Sequence, residues 1–204
     1  MAPNPMAPKT LLQMAGAAVT PSKLSDAVLV VIDAQKEYVD GKLPLTNVEP
    51  ALAEIGKLLA RARGLRTPVI HIVHQGKAGG AFGPDTPGFE VASPATPAPG
   101  EAVVHKNLPN AFASTDLASR LAALKKANVV LVGFMTHMCV EATARASIDL
   151  GFKATVIASA TATRALPDPL GGTALSADEV QRNALAAIAD RFATIAKDVD
   201  ALPD

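Results

Sequence analysis

Three side chains of complementary chemistry lie where hydrophobic runs end. Asp33 ends AVLVVID (27–33), Lys106 ends EAVVHK (101–106), and Cys139 follows NVVLVG (128–133) after a short loop. In open parallel sheets, ligands bind beyond the carboxyl ends of the strands. A carboxylate, an ammonium and a thiol at that edge form a set that can carry out nucleophilic catalysis.

Cys139 is the only cysteine of the chain, so it cannot form an internal disulfide. We expect a helix to begin near His137, with Cys139 in its first turn, where free N–H groups and the helix dipole stabilise a thiolate. A nearby Lys106 ammonium would lower the pKa of the thiol further. The alternative is a small buried cysteine packed in an alanine-rich helix. Its place after a strand favours a functional role.

The histidines offer neither a base for this thiol nor a metal site. His137 lies two residues before Cys139, and such residues do not face each other on a helix, so we interpret it as a pocket residue only. His71 and His74 are three apart in a strand and therefore point to opposite faces. We expect no metal and no other cofactor.

Hydrophobic runs without polar alternation alternate with amphipathic segments along the chain. The runs predict strands at 27–33, 67–74, 101–106, 128–133, 153–160 and 192–197. The amphipathic segments predict helices at 50–64, around 117–124, at about 137–150 and from a Ser176/Glu179 capping box to about residue 190. This order is typical of an α/β fold, a three-layer, doubly wound, mostly parallel sheet of about six strands.

Length and composition predict one domain, residues 24–204, preceded by an N-terminal arm at 1–23. The stretch PKTLLQMAGAAV (8–19) faintly resembles a signal peptide, but its apolar block is short and contains Gln13, so we expect a docked arm and a cytoplasmic protein. The net charge is zero and no basic stripe is present, which argues against nucleic acid or a membrane surface as partner. No run reaches the roughly 18 apolar residues of a membrane span.

Residues 75–100 hold six glycines and five prolines with almost no periodicity. A loop of this length in a compact domain is often a binding lid, and a contact between subunits is an equal alternative. A chain with low charge and such a loop predicts a homo-oligomer, a dimer or a tetramer.

Three motifs occur in order: VVIDAQKEYVDG, HKNLPNAFASTDL and LVGFMTHMCVEATARAS. Together they resemble the isochorismatase-like cysteine hydrolases, a superfamily that includes nicotinamidases and carbamoylsarcosine amidases, over about residues 24–197. The resemblance implies that Asp33, Lys106 and Cys139 form a catalytic triad. It also implies a cis peptide at Phe134–Met135 and an oxyanion hole made by the N–H groups of Met135 and Cys139.

Two departures narrow the activity that this resemblance implies. The Asp-x-His metal cluster of the nicotinamidases is missing, which argues against metal-dependent nicotinamide hydrolysis. Members that hydrolyse the vinyl ether of isochorismate commonly lack the cysteine, so the presence of Cys139 favours hydrolysis of a small amide through a thioester. Vinyl-ether hydrolysis with Asp33 as the acid and a non-catalytic thiol sensor remain the alternatives.

The other predicted site residues each have a structural alternative. Gln35 is expected to order the loop of Asp33 and to border the substrate, or to be an ordinary polar residue after a strand. Phe112 and Phe134 are candidate pocket walls or core residues. Thr136 is a candidate for a hydrogen bond in the nucleophile loop or for a helix cap. The substrate is a small molecule whose identity the sequence does not specify.

Overall fold

The hydrophobic runs form one sheet of six strands, all of them parallel. A computed structural model describes residues 7–204. The strands are β1 Ala27–Ile32, β2 Val69–His74, β3 Ala102–Lys106, β4 Asn128–Phe134, β5 Lys153–Ala162 and β6 Ala193–Ala196. Their order across the sheet is β3-β2-β1-β4-β5-β6, which confirms the predicted doubly wound α/β class.

Helices cover both faces of the sheet and complete the three layers. They are α1 Leu11–Met14, α2 Val48–Gly64, α3 Leu117–Ala123, α4 Glu141–Asp149 and α5 Ala177–Arg191. The apolar side of α2 packs on one face of the sheet, and α3, α4 and α5 pack on the other. The two cores that result bury both sides of β1 and β4, which explains why these strands are apolar at nearly every position.

Local interactions set the ends of several elements. The capping box at the start of α5 is present as predicted, with the Ser176 hydroxyl accepting from the Glu179 amide and the Glu179 carboxylate accepting from the Ser176 amide. Helix α2 begins at Val48 rather than at Pro50, because Asn47 with φ 59° turns the chain into the helix two residues earlier. Strand β5 continues to Ala162, past the predicted end at 160, because it pairs again with Phe134 beyond a bulge.

Gly133 allows β4 to run beside β1 at the edge where the site lies. Its φ is 113°, and a Cβ at this position would lie 1.9 Å from the carbonyl oxygen of Ile32. Only glycine fits such an approach without moving β1. The hydrophobic run of β4 therefore passes through a glycine, and the chain turns directly after it into the cysteine loop.

Within residues 7–23, the N-terminal arm lies against α5 and β5. The Leu11 amide donates to the Asp190 carboxylate at 2.8 Å, and the Ser22 amide donates to the Thr155 hydroxyl at 3.3 Å. Residues 1–6 of the predicted arm lie outside the described residues. None of the helices in residues 7–204 is long and apolar enough to cross a membrane.

Candidate active site

The structure brings Asp33, Lys106 and Cys139 together at the carboxyl edge of the sheet. Asp33 directly follows β1 with a left-handed φ of 49°, which turns its side chain out of the strand pattern. Lys106 ends β3. Cys139 lies in a π-helical turn, Thr136–Val140, that connects β4 to α4. These positions follow from the parallel order of the strands, since their carboxyl ends share one edge.

The Lys106 ammonium is the centre of this cluster. Its Nζ lies 2.7 Å from Asp33 Oδ2, 3.4 Å from Cys139 Sγ and 3.1 Å from His74 Nδ1. The side chains of Asp33 and Lys106 are fully buried, and Cys139 is only 4% exposed. The ion pair is therefore removed from water. In the protein interior, the attraction between its charges is much stronger than it would be at the surface.

The Asp33 carboxylate is poorly satisfied for a buried charge. The contact with Lys106 is short, but it lacks the angles of a regular hydrogen bond. Neither carboxylate oxygen accepts a regular hydrogen bond from any of residues 7–204. Burial raises the pKa of Asp33 above its ordinary value, and Lys106, the Cys139 thiol and the His74 backbone oppose that rise. A carboxylate held this way is a better proton acceptor than an ordinary aspartate.

The expectation that Cys139 is a stabilised thiolate is wrong for the isolated chain. Burial, followed by the neighbouring Asp33 carboxylate, raises the pKa of Cys139 to about 12, although Lys106 lowers it in part. The loss of hydration and the like charge outweigh the ammonium. Cys139 therefore rests as a thiol, and it can become a nucleophile only by giving its proton to a base such as Asp33.

The loop before Cys139 contains the cis peptide at Phe134–Met135 that the family resemblance implies. The Met135 carbonyl accepts from the amides of Met138 and Val140, at 3.0 and 3.2 Å. The Met135 amide donates no hydrogen bond to the other described residues. That leaves it available to a ligand oxygen, and its pairing with the Cys139 amide as an oxyanion hole stays a prediction.

Gln35 and Thr136 are buried and hold the two loops of the site in place. The Gln35 side-chain amide donates to the carbonyls of His74 and Phe89, and its oxygen accepts from the His74 amide. Both of its donor hydrogens are used, so the Gln35 side chain ties the segment after Asp33 to β2 and to the loop 75–100. Its contact with a substrate stays a prediction. The Thr136 hydroxyl donates to the Ala162 carbonyl at 3.1 Å and ties the nucleophile loop to β5.

The two predicted pocket phenylalanines pack against other rings. Phe134 is fully buried and meets Tyr38 edge-on, with ring centroids 5.8 Å apart. Phe112 stacks on Phe152 at 6.0 Å. Both contacts fit the alternative of core packing. His137 is half-buried, and its Nδ1 forms a hydrogen bond with the Thr163 hydroxyl. Burial lowers the pKa of its imidazole.

The sequence predicts His74 as the last residue of a strand but does not assign it to the site. In the sheet it lies directly beside Lys106 in the β2–β3 register, and its ring contacts the ammonium. Tyr38 was also missed; it is buried next to the cluster, and burial raises the pKa of its phenol. A register for β2 and β3 would have paired His74 with Lys106, but the sequence alone does not fix that register.

The long loop 75–100 packs against the segment after Asp33. Val91 bridges to Gln35, and Phe82 contacts the rings of Tyr38 and His74, at 5.0 and 5.1 Å. Gly88 lies on the buried Glu37, and a Cβ there would come within 2.0 Å of the Glu37 carboxylate. The loop thus covers one side of the site, while its movement and any contact with a second subunit stay predictions.

A metal site is not formed by the residues that the structure describes. Over residues 7–204, no group of three or more histidine, cysteine or acidic residues is arranged to hold a metal ion.

Comparison with known proteins gives matches over most of the chain. The family described as "Isochorismatase domain" matches residues 27–198. The secreted isochorismatase effector Isc1 of Verticillium dahliae is 38% identical over 188 residues, which is 92% of this chain and 96% of that protein. A ureidoacrylate amidohydrolase of Pseudomonas syringae is 27% identical over 175 residues, covering 68% of this chain and 71% of that protein.

A solved structure has the same architecture. The crystal structure of an isochorismatase from Pseudomonas putida KT2440 superposes with a TM-score of 0.89 and is 38% identical, covering 93% of this chain and 97% of that one.

Proposed function

The chain belongs to the isochorismatase family of hydrolases, and from that premise we propose that it hydrolyses a small non-peptide amide or related C–N bond through a thioester on Cys139. One observation carries the proposal: a buried Lys106 ammonium contacts both a carboxylate oxygen of Asp33 and the sulfur of Cys139. A site that only bound a ligand would not require a carboxylate, an ammonium and a thiol in mutual contact and shielded from water.

The first half-reaction follows from the resting protonation states. Asp33 accepts the thiol proton as the Cys139 sulfur forms a bond to the substrate carbonyl carbon, and Lys106 stabilises the sulfur while its charge develops. The carbonyl oxygen takes the negative charge, which the free Met135 amide is available to stabilise. The C–N bond then breaks, and the leaving nitrogen takes the proton from Asp33.

The second half-reaction uses the same groups in reverse. Asp33 removes a proton from a water molecule, whose oxygen attacks the thioester carbon. The bond to sulfur breaks, the acid product leaves, and the proton returns from Asp33 to Cys139. Because Asp33 moves a proton in both halves, its raised pKa suits the task.

The relatives support hydrolysis without fixing the bond. The name of the Pseudomonas syringae relative states an amidohydrolase, whereas those of the fungal relative and of the Pseudomonas putida structure state isochorismatases. Vinyl-ether hydrolysis is therefore the second candidate, with Asp33 as the acid and no task for Cys139.

A substrate screen separates these candidates and a thiol sensor. Purified protein is tested against small carboxamides, carbamoyl compounds and isochorismate, beside the Cys139→Ala variant, with mass spectrometry for an acyl adduct on Cys139. We expect turnover of an amide or carbamoyl compound and an adduct in the wild type only. Turnover of isochorismate alone, unchanged in the variant, would establish the second candidate, and no turnover with an oxidant-sensitive thiol would favour a sensor.

We also propose that the protein acts in the cytoplasm as a homo-oligomer, a dimer or tetramer. The fungal relative is named a secreted effector, so fractionation of the source cells is the direct test of location. Light scattering that gave the monomer mass of 20.9 kDa across micromolar concentrations would contradict the oligomer.

A further inference from the structure

His74 is the fourth side chain of the buried cluster. Its backbone is held on both sides by Gln35, and its ring meets Phe82 at 5.1 Å. Its Nδ1 lies 3.1 Å from Lys106 Nζ. Neither Asp33 nor Cys139 fixes this ring, so its position comes from the sheet register and from the loop that packs on it.

The hydrogen bonds of Lys106 define the role of the His74 ring. An ammonium has three hydrogens and no lone pair, so any neighbour that forms a hydrogen bond with it has to accept. Three neighbours surround Nζ: Asp33 Oδ2, Cys139 Sγ and His74 Nδ1. The Asp33 contact is an ion pair without regular hydrogen-bond angles, so His74 Nδ1 and Cys139 Sγ are the two neighbours with hydrogen-bond geometry. His74 is the nitrogen acceptor of the pair, and a buried donor without an acceptor is costly.

This requirement sets the tautomer of His74. Nδ1 can accept only when it carries no hydrogen, so the proton of the neutral ring lies on Nε2. Burial and then the Lys106 charge lower the pKa of His74 to about 4, which keeps the ring neutral at physiological pH. Within residues 7–204 the His74 ring makes one hydrogen bond, the one at Nδ1.

His74 also lines open space beside the cluster. His74 and Lys106 form part of the wall of a cavity of about 590 Å³, together with Lys77, His105, Asn107 and Ser114. His74 therefore contacts the buried ammonium and also lines a cavity large enough for a small molecule, whereas Asp33 and Cys139 are not among the lining residues.

We propose that His74 is a positioning residue of the hydrolase: its Nδ1 holds the Lys106 ammonium between Asp33 and Cys139, and its Nε2–H faces the cavity as a donor to the bound substrate. The inference rests on the proposed function, because it assigns His74 a task in that same site. Its first half concerns only the resting protein, so it can be tested without a substrate.

The first experiment reads the tautomer directly. Long-range ¹H–¹⁵N spectra of the imidazole rings, with His74 assigned from its absence in His74→Asn, are recorded from about pH 5 to about pH 8. We expect a neutral ring protonated on Nε2 throughout, and a changed signal in Lys106→Met. A ring protonated on Nδ1, or an imidazolium at about pH 6, would overturn the proposal even if no substrate had been found.

The second experiment separates the two nitrogens by substitution. His74→Asn keeps a side-chain oxygen near the position of Nδ1, and His74→Leu keeps neither nitrogen. On an amide that the wild type hydrolyses, we expect His74→Leu to lower kcat by roughly 10- to 100-fold. His74→Asn should restore most of kcat but keep a raised KM, because it lacks the donor that faces the cavity.

His105→Leu is the matched control, since it removes another imidazole from the same cavity wall, one that has no hydrogen bond with the Lys106 ammonium. The tautomer and the pH response of His74 should not change. If His74→Asn and His74→Leu lost kcat equally and had equally lowered melting temperatures, His74 would be a packing residue only. An unchanged kcat in His74→Leu would also refute the proposal. A wild type without amide turnover would instead contradict the proposed function and leave the tautomer result standing.

Discussion

Two carboxylates on this sheet, a fully buried Asp33 and a partly buried Glu101, have opposite environments. The difference separates a structural charge from a reactive one. Glu101, next to β3, accepts from the Arg63 guanidinium through both oxygens, from the Ala98 amide at 2.7 Å and contacts His71 Nε2 at 2.8 Å. Asp33, at the other end of the strands, has the Lys106 ammonium at 2.7 Å, but neither of its oxygens accepts a regular hydrogen bond within residues 7–204. Both lie beside a histidine of β2.

The pKa values follow from these partners. Arg63 and the Ala98 and His71 contacts outweigh burial and lower the pKa of Glu101 to about 2, whereas burial dominates at Asp33 and raises its pKa. A carboxylate with all its hydrogen bonds made resists protonation, and one that lacks them is ready to take a proton. We therefore interpret Glu101 as a structural charge and Asp33 as a reactive one.

The largest expected effect is the loss of amide hydrolysis in Cys139→Ala. Removal of the nucleophile should lower kcat by at least ~10³-fold, because no thioester can form while the fold survives. Steady-state kinetics on the accepted amide measure the loss, and Cys139→Ser should behave alike. A variant that retained most of its activity would make the thiol structural or regulatory.

Asp33→Asn should reduce amide hydrolysis by a similar factor, roughly 10³-fold, because both halves of the reaction route a proton through this carboxylate. Steady-state kinetics are measured here on both the amide and isochorismate. If the protein hydrolyses a vinyl ether, that activity should also fail in Asp33→Asn, whereas it should be almost intact in Cys139→Ala. Nearly full amide hydrolysis by Asp33→Asn would mean that another group serves as the base.

Alkylation of Cys139 tests whether the thiol is protonated at rest. Because its pKa is raised to about 12, the rate of reaction with iodoacetamide should keep rising above about pH 10. The cysteine of the unfolded chain, measured in denaturant, should level off above its ordinary pKa of about 8.5. A folded-state rate that was already maximal near neutral pH would show a resting thiolate and restore the expectation made from the sequence.

The strands and most of the site could be predicted because they depend on short-range patterns and on topology. Unbroken apolar runs identify parallel strands, and parallel strands bring Asp33, Lys106 and the Cys139 loop to one edge. What could not be predicted depends on register and burial. The pairing of His74 with Lys106 requires the β2–β3 register, and the raised pKa of Cys139 is a sum of desolvation and charge that spacing does not reveal.

The aromatic and amide residues show the same limit. Phe112 and Phe134 are near the motifs in sequence, but their rings are held by Phe152 and Tyr38, which lie in other segments. The sequence predicts that Gln35 orders the Asp33 loop, but only its contacts show that both amide hydrogens are used. Direction of a side chain is a tertiary property, and residue type alone does not determine it.

The smallest expected effect is on stability, in Glu101→Gln. The pKa of Glu101 is lower in the folded chain than its ordinary value of 4.5, so its contribution is complete above about pH 4.5 and is lost as the pH falls to about 2. Chemical denaturation at about pH 7 should show a loss of roughly 1–3 kcal/mol in the free energy of unfolding. The difference from wild type should shrink as the pH falls, since the wild-type carboxylate is protonated as well.

Glu90→Gln is the control, because its ion pair with Lys36 is exposed and should contribute little. Amide hydrolysis by folded Glu101→Gln should match the wild type, and a large loss of kcat there would erase the distinction between the two carboxylates.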